Sequence, residues 1–239
     1  MRKFLIPAVA ALAVAAVEVA PTIAQDQGGS TVSTKTSVSP NKAGTKKKPQ
    51  GVKLNFQSTF TTPGDVEHPI VTGGTVYITK GALYNGGKFT SCSVATLSHG
   101  GPSKCPTKSI MGSGGGTAHA DQTITKPKIT VVNGGAHLIH FWTVLQNPAR
   151  VAASVEAKIT KQTGKWAYKV TFQVPKSLQI VAGIPITLDK LNVTLGGRSY
   201  AKDWLATTSC PANHKWPYES TFTLSAGSPI SYNGSVACK

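Results

Sequence analysis

The chain has 239 residues and carries 25 lysines and arginines against 9 aspartates and glutamates, a formal charge of +16, with four cysteines. Its arginines are Arg2, Arg150 and Arg198 alone, so the guanidinium forks that read base edges and phosphates bidentately are almost missing, which excludes sequence-specific nucleic-acid recognition as the main role. The charge leaves open a looser attraction of lysine ammonium groups to polyanions such as acidic cell-wall polymers, anionic glycans or lipid headgroups.

Met1 to Lys3 is a short basic start, Phe4 to Val17 an unbroken apolar and small run, and Thr22-Ile23-Ala24 a small-residue cleavage site. This is the pattern of a secretory signal peptide over 1–24, too short to span a bilayer as a helix of about twenty residues. Cleavage after Ala24 removes Arg2, Lys3 and Glu18, leaving 23 basic and 8 acidic residues, a balance of +15. No later stretch is long and apolar enough for a transmembrane span, so the expected product is secreted or associated with the cell envelope.

Residues 25–50 are rich in Ser, Thr, Gly and Lys and end in Lys46-Lys47-Lys48-Pro49. They read as a basic disordered linker, either a tether to an anionic surface or a solvated spacer. From residue 51 to 239 the period is two. Trp166, Tyr168, Val170, Phe172 and Val174 alternate with polar neighbours, and Trp216, Tyr218, Phe222 and Leu224 repeat the pattern. Val52, Leu54 and Phe56, then Ile184, Ile186 and Leu188, then Leu191, Val193 and Leu195 mark shorter strands. Turn signals such as Gly73-Gly74, Asn85-Gly86-Gly87, Asn133-Gly134-Gly135 and Gly196-Gly197 separate them. The expectation is an all-β, antiparallel, sandwich-like domain of about ten strands, as one unit or two lobes. A core is available to it, because a domain of about 190 residues buries about 70% of its unfolded surface. The run from His137 to Leu145 has large residues on both faces and reads as a central strand. The segment 148–159 fits a helix face or a strand, and its β-branched residues favour the strand.

An even number of cysteines in an exported chain points to disulfides. Pairing Cys92 with Cys105 and Cys210 with Cys238 closes two short loops, the first worth about 3 kcal/mol in the chain-entropy view. Zinc is the alternative, but neither pair has finger spacing, so no metal or other cofactor is expected.

The glycine-rich stretch Cys105 to Gly116 lacks the lysine followed by Ser or Thr that a phosphate loop needs, and reads as a turn leading into a strand. His119 and Asp121 are two apart and would share a strand face; His137 and His140 are three apart and would not. Glycoside hydrolysis needs two converging carboxylates, for which Asp65, Glu67, Asp121 and Glu219 are the candidates, and nothing in their spacing brings them together. There is no nucleophile elbow, and both disulfides together leave no free thiol. Asn192-Val193-Thr194 and Asn233-Gly234-Ser235 match the glycosylation acceptor pattern. Trp166 and Trp216 fit core positions; Trp204, in Tyr200-Ala201-Lys202-Asp203-Trp204, is the one candidate for sugar stacking, and packing in the core or at an edge is the favoured reading there too.

Phe89 to Cys92 with Leu97, Gly101-Pro102, Cys105-Pro106, Ser109, Gly112 and Gly114, then Cys210-Pro211 with Trp216 and Tyr218, together resemble a loosely defined group of secreted actinobacterial β-rich proteins without assigned function. The resemblance implies a disulfide-pinned turn at the first Cys-Pro block and carries no catalytic or binding residue. Ile110-Met111 and the longer glycine run depart from that group. The functional expectation is a non-enzymatic binding or structural module, drawn to anionic envelope polymers through Lys46, Lys47, Lys48, Lys158, Lys165 and Lys169. The alternative is a secreted hydrolase acting on envelope polysaccharide through a carboxylate pair.

Overall fold

A computed structural model describes residues 29–64 and 69–239. The signal-peptide reading of 1–24 and the candidate carboxylates Asp65 and Glu67 lie outside the described residues. In chain order the strands are β1 (Thr31–Ser39), β2 (Gln50–Gly51), β3 (Lys53–Thr61), β4 (Val71–Thr79), β5 (Ala82–Tyr84), β6 (Ile110–Ala120), β7 (Thr123–Thr125) and β8 (Lys128–Asn133). There follow β9 (Leu138–Leu145), β10 (Val151–Lys161), β11 (Trp166–Gln173), β12 (Ile180–Val181), β13 (Ile184–Gly196), β14 (Leu205–Thr207), β15 (Lys215–Leu224) and β16 (Ile230–Ala237). Two short helices interrupt them, α1 (Val94–Gly100) and α2 (Lys176–Gln179).

The antiparallel all-β architecture expected from the alternation is present, and its walls belong to one sheet. The order is β1-β3-β13-β6-β8-β9-β10-β11-β4-β15-β16. The sheet curls until its first and last strands lie side by side, and the Tyr218 hydroxyl on β15 donates to the Thr34 carbonyl on β1 at 3.0 Å. Val32, Phe222, Ile230 and Tyr232 pack beneath that seam. The result is a nearly closed barrel of eleven main strands, inside which the apolar positions of every strand converge.

The linker expectation for 25–50 is corrected over most of its length. Residues 31–39 form β1, paired with β3 over nine positions from Thr31 opposite Thr61 to Ser39 opposite Lys53. The reason is a period-two pattern written in small residues: Val32 and Thr34 point inward and are buried, while Ser33 and Lys35 lie on the other face. Lys46 to Lys48 sit in an ordered turn, where Thr45 N–H donates to the Lys48 carbonyl and Lys48 N–H to Thr45 Oγ1. The segment before it is tied to the C-terminus, since Ala43 N–H donates to the Lys239 carbonyl and Lys239 N–H to that of Asn41.

Segment 148–159 is strand from Val151 onward, as its β-branched residues favour. Both disulfides form as paired from the spacing, Cys92–Cys105 and Cys210–Cys238. The glycine run of β6 packs hard against β13: a Cβ on Gly112 would stand 2.0 Å from the Thr194 carbonyl oxygen, and one on Gly116 2.2 Å from that of Lys190. Only glycine admits that approach.

The two ends of the barrel are closed differently. At the base, β14 pairs with β2 and β5 in a small separate sheet that brings Trp204, wholly buried, against the Tyr84 ring. At the mouth, topology supplies the cover. β11 and β13 are sequential long strands but sit five places apart in the sheet, so residues 174–183 run across the opening. Here α2 contacts β10 and β13, with Leu178 turned down among Leu145, Val181 and Ile186.

Candidate functional site

The inward faces do not fill the barrel. Eight strands make a ring just wide enough for side chains to close, and eleven make a wider one. A cavity of about 280 Å³ remains inside, running from Tyr84 and Leu205 at the base to Leu178 and Leu145 at the mouth. On β9 alone, Ile139, Phe141, Thr143 and Leu145 all line it, a span of about 20 Å at the rise of an antiparallel strand. The lining of this slot therefore extends along much of the barrel's length.

Its chemistry is uniform. Thr143, Tyr84 and Tyr168 are the lining residues with side-chain polar atoms, and all three are already engaged. Thr143 Oγ1 donates to the Phe141 carbonyl, Tyr168 Oη accepts from Tyr84 N–H, and Tyr84 Oη donates to the Gly135 carbonyl at 2.7 Å. Burial pushes the Tyr84 phenol far above its ordinary range, and the neighbouring Trp204 indole opposes this only in part. A molecule entering the slot therefore meets hydrocarbon almost throughout and finds no charge.

Asn133 holds the base in place, and it went unnoticed in the sequence except as the first residue of a turn. Its Nδ2 donates to the carbonyls of Gly86, Phe89 and Thr90, and its Oδ1 accepts from Trp204 Nε1 and Tyr84 Oη. The asparagine thus joins the barrel wall to the base and to a cap, residues 85–109, folded over the outside of β8 and β9. Within the cap, Leu97 and the Cys92–Cys105 disulfide pack on Val132 and Trp142. Trp204 is packed in the core, the reading favoured from the sequence, and its buried indole presents nothing to a sugar.

The expected basic residues lie on the outer wall, in a turn and beside the base. Lys158 stands opposite Thr171 and Lys169 opposite Thr160, which places the two lysines as diagonal neighbours on the outer wall, about 7–8 Å apart at Cβ. Lys165 lies in the β10–β11 turn, its ammonium 4.4 Å from the centre of the Trp166 ring, and that of Lys169 lies 5.9 Å from the Tyr77 ring. Trp166 itself is turned outward onto Tyr77 by a bulge between it and Tyr168, so its expected core position is corrected. Lys46 to Lys48 follow Gly44, whose N–H donates to the Thr207 carbonyl on β14 of the base sheet.

His119 and Asp121 do not form a pair. The imidazole bonds Asp189 instead, Nε2 to Oδ2 at 2.8 Å, while Asp121 sits in the β6–β7 turn with φ at 55°. Asp121 on the rim beside β6 and Glu219 on β15 belong to opposite walls of the barrel, so these two candidate carboxylates do not converge. Among the described residues no group of three or more His, Cys, Asp or Glu side chains stands in position to hold a metal ion.

His140 is fully buried under the cap. Its Nδ1 lies 3.1 Å from Ser154 Oγ, and its Nε2 has no hydrogen-bond partner among the described residues. Burial lowers its pKa from the ordinary 6.5, with Glu156 opposing. The folded protein refuses a proton that the unfolded chain accepts, so the contribution to stability is complete above about pH 6.5 and is lost as pH falls below it. The urea midpoint is expected to drop between about pH 7 and about pH 5. His140→Leu should remove part of that slope; an unchanged slope would show that the imidazole takes no part in it.

Comparison of the chain with protein-family models, with curated proteins and with solved structures gives no match.

Proposed function

We propose that the chain is an extracellular, non-enzymatic binding protein that encloses the alkyl or acyl chain of one apolar ligand inside its barrel. The observation that supports this reading is the interior cavity of about 280 Å³, lined along about 20 Å of the barrel by side chains that are almost wholly apolar, its three polar ones each bonded to the protein. An apolar lining of that length suits a hydrocarbon chain better than a polar molecule. An outer wall bearing Lys158, Thr160, Lys169 and Thr171 around an apolar interior is the reverse of a membrane-spanning barrel, whose lipid-facing side chains are apolar. Two disulfides suit an oxidising compartment, and among the described residues no helix is long and apolar enough to cross a membrane.

The lysine-rich exterior gives the protein a second property, a salt-sensitive attraction to anionic envelope polymers, for which the neighbouring Lys158 and Lys169 are the best-placed wall residues.

Titration with a fluorescent polyene fatty acid tests the cavity. The expected result is saturation at one probe per chain. Thermal stability should rise with it, by about 2.7 kcal/mol when the free probe stands at a hundred times its Kd. Absence of uptake, together with solvent extracts of the purified protein that contain no lipid, would overturn the reading.

A further inference from the structure

Four large apolar side chains are prominently exposed among the described residues, and two of them, Ile124 at 53% and Ile180 at 48%, lie at the mouth. Strand register fixes how they are related. Ile180 on β12 stands opposite Pro185 on β13, Thr187 stands opposite His119 on β6, and His119 stands opposite Ile124 on β7. Their chain neighbours Val181, Ile186, Ala118, Ala120 and Thr125 are all buried inward, so the strip from Ile180 to Ile124 faces out along the rim. The two isoleucines bracket it, three interstrand steps or about 15 Å apart.

Charge frames this strip on the lid side and below. Lys176 on the lid, Lys126 and Lys128 after β7, and Lys190 below Thr187 are exposed, as is Arg150 on the opposite lip. Against them stand Asp121 in the rim turn and Asp189, whose carboxylate is taken by His119. Exposed aliphatic side chains ringed by lysines match the interface of an anionic bilayer, where apolar groups enter the acyl boundary and ammonium groups meet phosphates.

We infer that this rim seats on an anionic lipid bilayer, with Ile124 and Ile180 inserted and Lys126, Lys128, Lys176 and Lys190 on headgroup phosphates. The inference rests on the carrier reading for its purpose, because it turns the lid of the slot toward the hydrocarbon that would fill it. It stands on a separate surface for its evidence.

The test uses protein lacking residues 1–24, which retains every described residue, as wild type and as the double variant Ile124→Ser, Ile180→Ser. Each is sedimented with phosphatidylglycerol–phosphatidylcholine vesicles and with phosphatidylcholine vesicles. Wild type is expected to pellet with the anionic vesicles only. The variant should bind them about tenfold or more weakly, each side chain being about half buried by insertion, and should take up the fatty-acid probe from solution unchanged. Equal pelleting of both proteins, or pelleting of neither, overturns the docking surface. Probe uptake without pelleting overturns the docking surface and leaves the cavity reading intact. Pelleting that depends on the isoleucines, without uptake, upholds the docking surface and overturns the carrier reading.

Discussion

Replacing Asn133 by leucine is expected to destabilise the protein by about 4 kcal/mol or more, read from urea unfolding at neutral pH. The side chain is wholly buried and its two amide hydrogens are shared among three carbonyl oxygens, those of Gly86, Phe89 and Thr90. A leucine fills nearly the same space and restores none of these bonds. It leaves the buried Trp204 indole N–H without a partner and strips the side-chain donor from the carbonyls of Phe89 and Thr90, while that of Gly86 keeps Phe89 N–H, each unmade buried bond costing about 1–3 kcal/mol. Tyr84 suffers less, because its hydroxyl keeps the carbonyls of Gly135 and Leu138. The damage should also spread. Since the same amide fastens both cap and base, loss of protection from hydrogen exchange is expected together in residues 85–109 and around Trp204. A cost below about 1 kcal/mol would mean that the cap and the base hold without it.

The second large effect runs in the opposite sense for stability. Ala157 lies midway along β10 and lines the slot, opposite Ile139 on one side and Phe172 on the other. Ala157→Phe places a ring in the space assigned to the ligand. Affinity for an alkyl chain should fall about a hundredfold or more, about 2.7 kcal/mol. The thermal midpoint of the unliganded protein should hold or rise, because the ring gains contacts with walls that now face a void. A loss of binding with an equal loss of stability would point to distortion of the wall; unaltered binding would place the ligand elsewhere.

Strand identity was legible wherever side chains announce their side. Tyr168, Val170 and Phe172 face inward as the alternation requires. The runs Ile184 to Leu188 and Leu191 to Leu195, expected as two strands, are one, β13, with a bulge between Leu188 and Lys190 that shifts the inward phase. The cysteine spacings favoured the pairing that forms. β1 escaped notice because its inward residues include threonine and serine-sized groups, which carry little apolar signal even when buried. Trp166 misled because a bulge of one residue reverses the face of everything on its far side. What covers Trp204 was not legible, because the small base sheet that buries it joins residues from three distant parts of the chain. The slot was the least visible feature. Alternation tells which side chains point inward, whereas the distance left between opposing walls depends on how many strands the ring contains, a number settled by pairings far apart in sequence.

The position of β13 has a kinetic consequence. It lies between β3 and β6, two strands made much earlier, whose facing edges have no partner until residues 184–196 are available. The last strand, β16, must then come to rest beside the first. Such a chain cannot mature segment by segment from its N-terminus. It is expected to fold late, slowly and in one cooperative step, as ladders of long sequence separation do, and to expose two open strand edges to other chains in the meantime. Removing β13 should therefore yield an aggregating product, with no smaller barrel as a stopping place.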